Sequence, residues 1–192
     1  MATENNSVTR ITVKAVLSYV NVFKPVIDPK KPDQKPKYKC MLLIDKSDKA
    51  SVSKIQKAIK AVEEKMISEK YAGKAPKKKI SNTFGDGDED KDGEEYENRY
   101  YINVSKHVKP AIVDRKRNPI TDSEEVYSGC IANVCIEFYY YWLDESKGIT
   151  ASLEGIQKIS DGEPLGASRI RVDEEFEELE DEEDDIDEDD LD

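Results

Sequence analysis

Residues 129–160 read GCIANVCIEFYYYWLDESKGITASLEGIQKIS, and their spacing decides the fold class. In the first half, Cys130, Ala132, Val134, Ile136, Phe138 and Tyr140 fall on one side of an extended chain. Asn133, Cys135, Glu137, Tyr139 and Tyr141 fall on the other. Alternation with period two marks a strand with one buried face. LDESKG supplies a turn and ITASLEGIQKIS returns, so the stretch predicts a long hairpin.

The same pattern recurs upstream. VTRITVKAVLSYV (8–20) alternates, with Ile11, Val13, Ala15, Leu17 and Tyr19 on one face. YKCMLLID (38–45) is a short apolar run that predicts a buried strand, RYYINVS (99–105) predicts another, and PAIVDRKRNPI (110–120) reads as strand, turn, strand. One helix interrupts them. Ser47 or Asp48 can cap it, Ile55, Ala58, Ile59, Val62 and Met66 recur at helical spacing, and Gly73 is a stop. KPVIDPKKPDQKPK (24–37) holds four prolines and five lysines and predicts a stiff basic loop. Residues 74–98 read as a polar, acidic insertion loop. About six strands with one inserted helix suit a mainly β, OB-fold-like Greek-key barrel.

Charge divides the 192-residue chain in two. Residues 173–192, DEEFEELEDEEDDIDEDDLD, contain 16 acids and no base. The remaining 26 acids face all 30 Lys and Arg, so residues 1–172 carry +4 although the whole chain carries −12. Eight of those acids sit at 86–97 beside a single lysine; outside that cluster the body carries +11. The expected organisation is a mildly basic barrel domain over 1–172 and a disordered acidic C-terminal tail over 173–192. Such a tail has two readings. One is a solvated extension; the other is a tethered polyanion that competes for a cationic groove at high effective concentration. Phe176, Leu179, Ile186 and Leu191 are spaced through it like small anchors, ahead of the terminal Asp192, and a pure solubility tail has no use for them.

Several function classes lose support. No apolar run approaches the 18 residues of a membrane span, and the opening MATENNSVTR lacks the apolar core of a secretory leader. Three cysteines are too few for a disulfide scaffold, so a reducing cytoplasm is the expected address. A loop starting at Asp88 puts Asp90, Asp92 and Gly93 where an EF-hand needs them, but its twelfth position is Arg99 rather than Glu. Cys40, Cys130, Cys135 and His107 have no zinc-knuckle spacing, and core packing is the ordinary use of such cysteines. There is no phosphate-binding glycine motif and no nucleophile matched to His107. No cofactor, metal or enzymatic activity is expected.

Aromatic and basic residues say more. If Phe138 and Tyr140 enter the core, Tyr139 and Tyr141 are left outside; Tyr100 and Tyr101 split in the same way. Exposed rings beside cations suit sequence-tolerant binding of single strands, because bases stack on rings while Lys and Arg track phosphates. Tyr139, Tyr141 and Tyr101 are the stacking candidates, with Trp142 and Phe23 behind them. Lys24, Lys35, Lys37, Lys39, Arg115, Lys116 and Arg117 are the phosphate candidates. Two other classes compete: an acidic chaperone or DNA mimic that binds basic partners, against which the +11 body argues, and a divalent-dependent nuclease, for which no carboxylate cluster inside the strands argues.

Particular stretches resemble the single-stranded-DNA-binding proteins of tailed bacteriophages. They are YVNVFKP (19–25), KYKCMLLIDKSD (37–48), DGDE followed by YENRYYINVSK (96–106), KPAIVD with NPI (109–120), and above all the block from Tyr127 to Gly166. The resemblance spans nearly the whole chain, with the tail matching in composition only. It implies an OB-fold and a non-enzymatic protein of phage DNA replication and recombination in the cytoplasm of the infected bacterium. It also implies an acidic tail that shields the groove and recruits DNA polymerase and helicase-primase. In some members the tail ends on an aromatic residue used in docking or subunit contact. Here it ends Leu191-Asp192, which argues against both an identical docking mode and a tail-mediated dimer, while a homodimer formed in another way stays open.

Overall fold

A computed structural model describes residues 7–166. In chain order they form β1 (Arg10–Val26), β2 (Lys37–Asp45), α1 (Lys49–Lys70), β3 (Phe84–Asp86), the one-turn α2 (Gly87–Asp90), a 3-10 turn (Glu94–Tyr96), β4 (Arg99–Lys106), β5 (Ala111–Val113), β6 (Ile131–Trp142) and β7 (Lys147–Ser160). The strand order is β3-β4-β2-β1-β6-β7-β5. A parallel pairing of β4 with β7, Val104 opposite Ala151 and Ser105 opposite Ser152, closes β1, β2, β4, β7 and β6 into a five-stranded barrel. This is an OB-fold, and closure removes the free edges that an open sheet of these strands would expose.

The hairpin of 129–160 forms as read. β6 and β7 pair antiparallel through Trp142 opposite Lys147. Ala132, Val134, Ile136 and Phe138 point inward to meet Val13, Ala15 and Leu17 of β1, Leu42 and Ile44 of β2, and Leu153 and Ile156 of β7. Helix α1 lays Ile55, Ala58, Ile59, Val62 and Met66 onto the same core. Burying each such large side chain stabilises the fold by roughly 1.5–3 kcal/mol. The side chain of Asp48 accepts a hydrogen bond from the Ser51 backbone N–H at 3.1 Å, satisfying a donor that the first turn leaves unpaired. At the other end Gly73 takes a φ of 76° and donates its N–H to the Ile67 carbonyl at 3.1 Å.

Two expectations need correction. The regular alternation of β1 placed Tyr19 with the core. Instead, the pairing of β1 with β2 slips between Ser18 and Asn21, and Tyr19 adopts a φ of 49° and turns outward, 62% exposed. A β-bulge adds one residue to one strand and so inverts the facing of the residues beyond it. The Val20 N–H donates to Ser128 Oγ at 3.2 Å and Asn21 Nδ2 donates to the Tyr19 carbonyl at 3.1 Å, which hold the bulge in place. The stretch 74–98 is also more than a polar loop. Ile80 and Tyr96 are buried, and Phe84–Asp86 pairs with β4. The acidic run 173–192, with Phe176, Leu179, Ile186, Leu191 and Asp192, lies outside the described residues.

Candidate nucleic-acid interface

In a pleated barrel the side chains that do not fill the core must face out. On β2 and β4 the outward positions run Lys39, Met41, Leu43 and Tyr101, Asn103, Ser105, with Met41 opposite Asn103 and Lys39 opposite Ser105. The β1 bulge adds Tyr19 and Asn21, and β7 adds Thr150. Together with Thr83, whose hydroxyl donates to the Asn103 carbonyl at 3.0 Å, these residues line a cavity of about 450 Å³ that crosses the strands. The outer face of the second and third barrel strands is where OB-folds receive oligonucleotides. The lining mixes polar and apolar groups, with Lys39 as its cation, Tyr19 as its exposed ring and no carboxylate. Beneath it the thiol of Cys40 is pushed up to about 12 by burial, which removes it as a nucleophile at neutral pH.

Lys39 and Ser105 also line a second recess with Lys35, Lys37, Gln34 and Asp28, so the face continues into the basic loop between β1 and β2. His107 Nδ1 lies 3.0 Å from the Pro36 carbonyl and ties that loop to the end of β4. On the opposite side Tyr139 sits across from Thr150 in the β6–β7 register, outward and 46% exposed. Tyr19, Lys39, Lys37, Lys35 and Tyr139 therefore belong to one continuous surface.

The other candidates are distributed elsewhere. Tyr141 lines a second cavity at the far end of the hairpin, and Trp142 stands beside it against Lys147 and Tyr71. Phe23 packs against the core beneath Lys109 and lines a shallow cleft with Lys24. Arg115, Lys116 and Arg117 form the turn after β5, organised by Asp114, which accepts from the N–H groups of Lys116 and Asn118. That turn meets β7 at Gln157, seven residues or about 23 Å along the strand from Thr150.

Tyr101 is on the right face but under cover. Its ring lies over Gly85, where an added Cβ would come within 2.2 Å of the ring. Its hydroxyl donates to Asp90 Oδ2 at 3.1 Å and Lys91 sits 5.0 Å from the ring centroid. Burial, with Asp90 second, raises its pKa. The cover is the acidic insertion. Tyr96 from its 3-10 turn is buried against Met41 and Leu43, and burial foremost raises its pKa too. Lys46 donates to Asp86 at 2.5 Å and to Asp88 at 2.7 Å, fastening α2 to the barrel. The Lys46 hydrogen bond is the main reason that the Asp88 carboxyl stays below its ordinary value.

Sequence reading misses Tyr19, Asn21, Met41, Thr83, Asn103, Ser105 and Thr150. Asn103 and Ser105 had a signal, since alternation through 99–105 puts them outside with Tyr101. Tyr19 had none, because a bulge is set by pairing with distant strands.

Comparison with known proteins agrees with this fold. Residues 8–187 match the family described as Enterobacter phage Enc34, ssDNA-binding protein. A protein of Acyrthosiphon pisum secondary endosymbiont phage 1, called putative protein p50, is 34% identical over 152 residues, which are 74% of this chain and 79% of that protein. The single-stranded DNA-binding protein from bacteriophage Enc34, solved in complex with ssDNA, superposes with a TM-score of 0.70 and 25% identity over 82% of this chain and 90% of its own. The gp2.5 single-stranded DNA-binding protein of bacteriophage T7 shares the fold, with a TM-score of 0.59 and 17% identity over 88% of this chain and 96% of its own. This OB-fold chain, matched over nearly its full length, belongs to the family of the Enterobacter phage Enc34 ssDNA-binding protein.

Proposed function

We propose that this phage protein binds single-stranded DNA across the outer face of β1, β2, β4 and β7, without catalysing a reaction on it. Tyr19 and Tyr139 stack bases, Lys39, Lys37 and Lys35 meet phosphates, and the hydroxyl and amide groups between them accept any base edge. The observation that carries the reading is the carboxylate-free cavity between an exposed tyrosine and the basic loop, on the ligand face of an OB barrel. Coating of exposed strands during phage replication and recombination in the infected cell is the role that this activity supports.

The acidic run shields the same face and recruits basic surfaces of the polymerase and helicase-primase. Leu165 packs with Met41, Leu43 and Tyr96, so the chain leaves the barrel at the edge of the proposed DNA face. The 26 residues beyond Gly166 span up to roughly 90 Å when extended, ample to reach any part of it. Anisotropy of a labelled oligo-dT, titrated with the full chain and with a 1–172 truncation at two salt concentrations, tests both ideas. Binding should weaken with salt at a log–log slope near −0.7 per phosphate contacted, and the truncation should bind several-fold tighter at low salt. Absence of binding by both forms would reject the DNA face; equal affinity of the two forms at low salt would reject shielding.

A further inference from the structure

A second aromatic and cationic recess lies where α1 ends against the tip of the β6–β7 hairpin. Trp142 and Tyr71 meet edge to face, with ring centroids 5.3 Å apart. Lys147 stands 4.4 Å and Lys70 5.9 Å from the Trp142 centroid. Tyr71, Lys78, Lys79, Tyr141, Lys147 and the single acid Glu145 are among the residues that line a cavity of about 500 Å³. Among the described residues none of these four lysines is in an ion pair. Three lysines against the single carboxylate of Glu145 leave the lining net positive, and an anion placed among them lowers their mutual repulsion. Exposed rings beside the lysines restrict which anion fits.

We infer that this recess is a second subsite for single-stranded DNA, taking a base against Trp142 and Tyr71 and phosphates on Lys78, Lys79 and Lys147. The inference rests on the single-strand reading of the main face and extends it. Continuity supports the assignment. Thr83 and Thr150 line the first cavity, Ser81 and Lys147 line the second, and the two walls are the same two segments of chain. The Thr83 N–H donates to the Ile149 carbonyl and the Ile149 N–H to the Ser81 carbonyl, so the segments are zipped together between the cavities. A strand leaving the first cavity over Thr83 and Thr150 passes directly to the second. The site thus lengthens the DNA occluded by one protein rather than duplicating the first contact.

The test uses the full chain and labelled dT probes of about 5 and about 16 nucleotides, within the range that one OB-fold occupies. Lys78, Lys79 and Trp142 are exposed, so the variants K78A/K79A and W142A keep the fold. The lysine pair should weaken the long probe several-fold and flatten its salt slope by about 1.4, the value for two lost phosphate contacts, while the short probe is unaffected. W142A should weaken the long probe by about fivefold or more, with its salt slope retained. Unchanged binding of both probes, or equal loss on both, overturns the subsite while leaving the main face intact. Tighter binding by the lysine variant assigns the recess to the acidic C-terminal run and overturns it as well. Failure of the unmodified chain to bind either probe removes the main face, and the subsite with it.

Discussion

One outer sheet face carries two tyrosines with opposite circumstances. On the β2–β4 face Tyr19 is mostly exposed beside Lys39, Asn103 and Ser105, with its hydroxyl next to that of Tyr96. On the same face Tyr101 lies beneath the acidic insertion, bonded to Asp90 and packed with Tyr96. Both rings point away from the core. What separates them is chain brought from elsewhere: a bulge that turns one ring out, and an insertion that folds down over the other. An outward ring becomes a stacking platform only if nothing covers it, and strand alternation does not report what covers it.

The sharpest way to break this comparison is to truncate each ring. Tyr19→Ala removes a stacking surface worth about 1–3 kcal/mol and should weaken oligo-dT binding about tenfold. Its melting temperature should hold or fall slightly, since the ring is largely exposed and alanine keeps the Cβ that makes a positive φ costly. Tyr101→Ala should do the reverse, lowering the Tm through lost packing on Met41 and Leu43 with little change in affinity. Paired anisotropy titrations and thermal melts read both. Equal losses of affinity in the two variants would mean that the insertion lifts off to admit DNA and that the covered half is part of the site.

The legible and illegible parts divide along the same line. The hairpin, the strand 38–45 and the capped helix were readable because local periodicity records which side is buried, and the core fills as that periodicity predicts. Tyr139 was readable as an outward ring for the same reason. Tyr19 was not, because its outward turn depends on slippage between β1 and β2 and on Ser128, more than a hundred residues away. The burial of Tyr96 was hidden inside a run of acids, where composition argues for solvent. Arg115, Lys116 and Arg117 look like a phosphate clamp in sequence, yet β5 carries them to the far end of β7.

A smaller effect is expected from the charge of the cover. Asp90, Glu94 and Glu95 place fixed negative charge beside the open face, on the side from which the chain departs toward its acidic run. Like charges raise the local cost of phosphate. The triple change Asp90→Asn, Glu94→Gln and Glu95→Gln should tighten oligo-dT binding about two- to threefold at low salt, and the gain should vanish near 1 M salt, where the Debye length is about 3 Å. A gain that persists at high salt would mean that the variant has uncovered Tyr101 rather than removed charge. Exchange protection of the Tyr96 and Tyr101 amides distinguishes the two.

The smallest effect is a pH window for the clamp that holds the cover down. Asp88 is kept below its ordinary value of 3.8, first by the Lys46 hydrogen bond and then by the Asn98 N–H. Lys46 is raised above its ordinary 10.5 by Asp86 first and Asp88 second. A depressed acid stabilises the fold above its unfolded pKa and loses that contribution as pH falls through the folded one; a raised base contributes below its unfolded pKa and is lost as pH rises through the folded one. The clamp should therefore hold unchanged from about pH 4 to about pH 10 and loosen outside those limits. Near-ultraviolet dichroism of the tyrosines should stay flat across that window and change below it, while Lys46→Met should remove the acid-side step. A step inside that window would mean that groups other than Lys46, Asp86 and Asp88 hold the cover down.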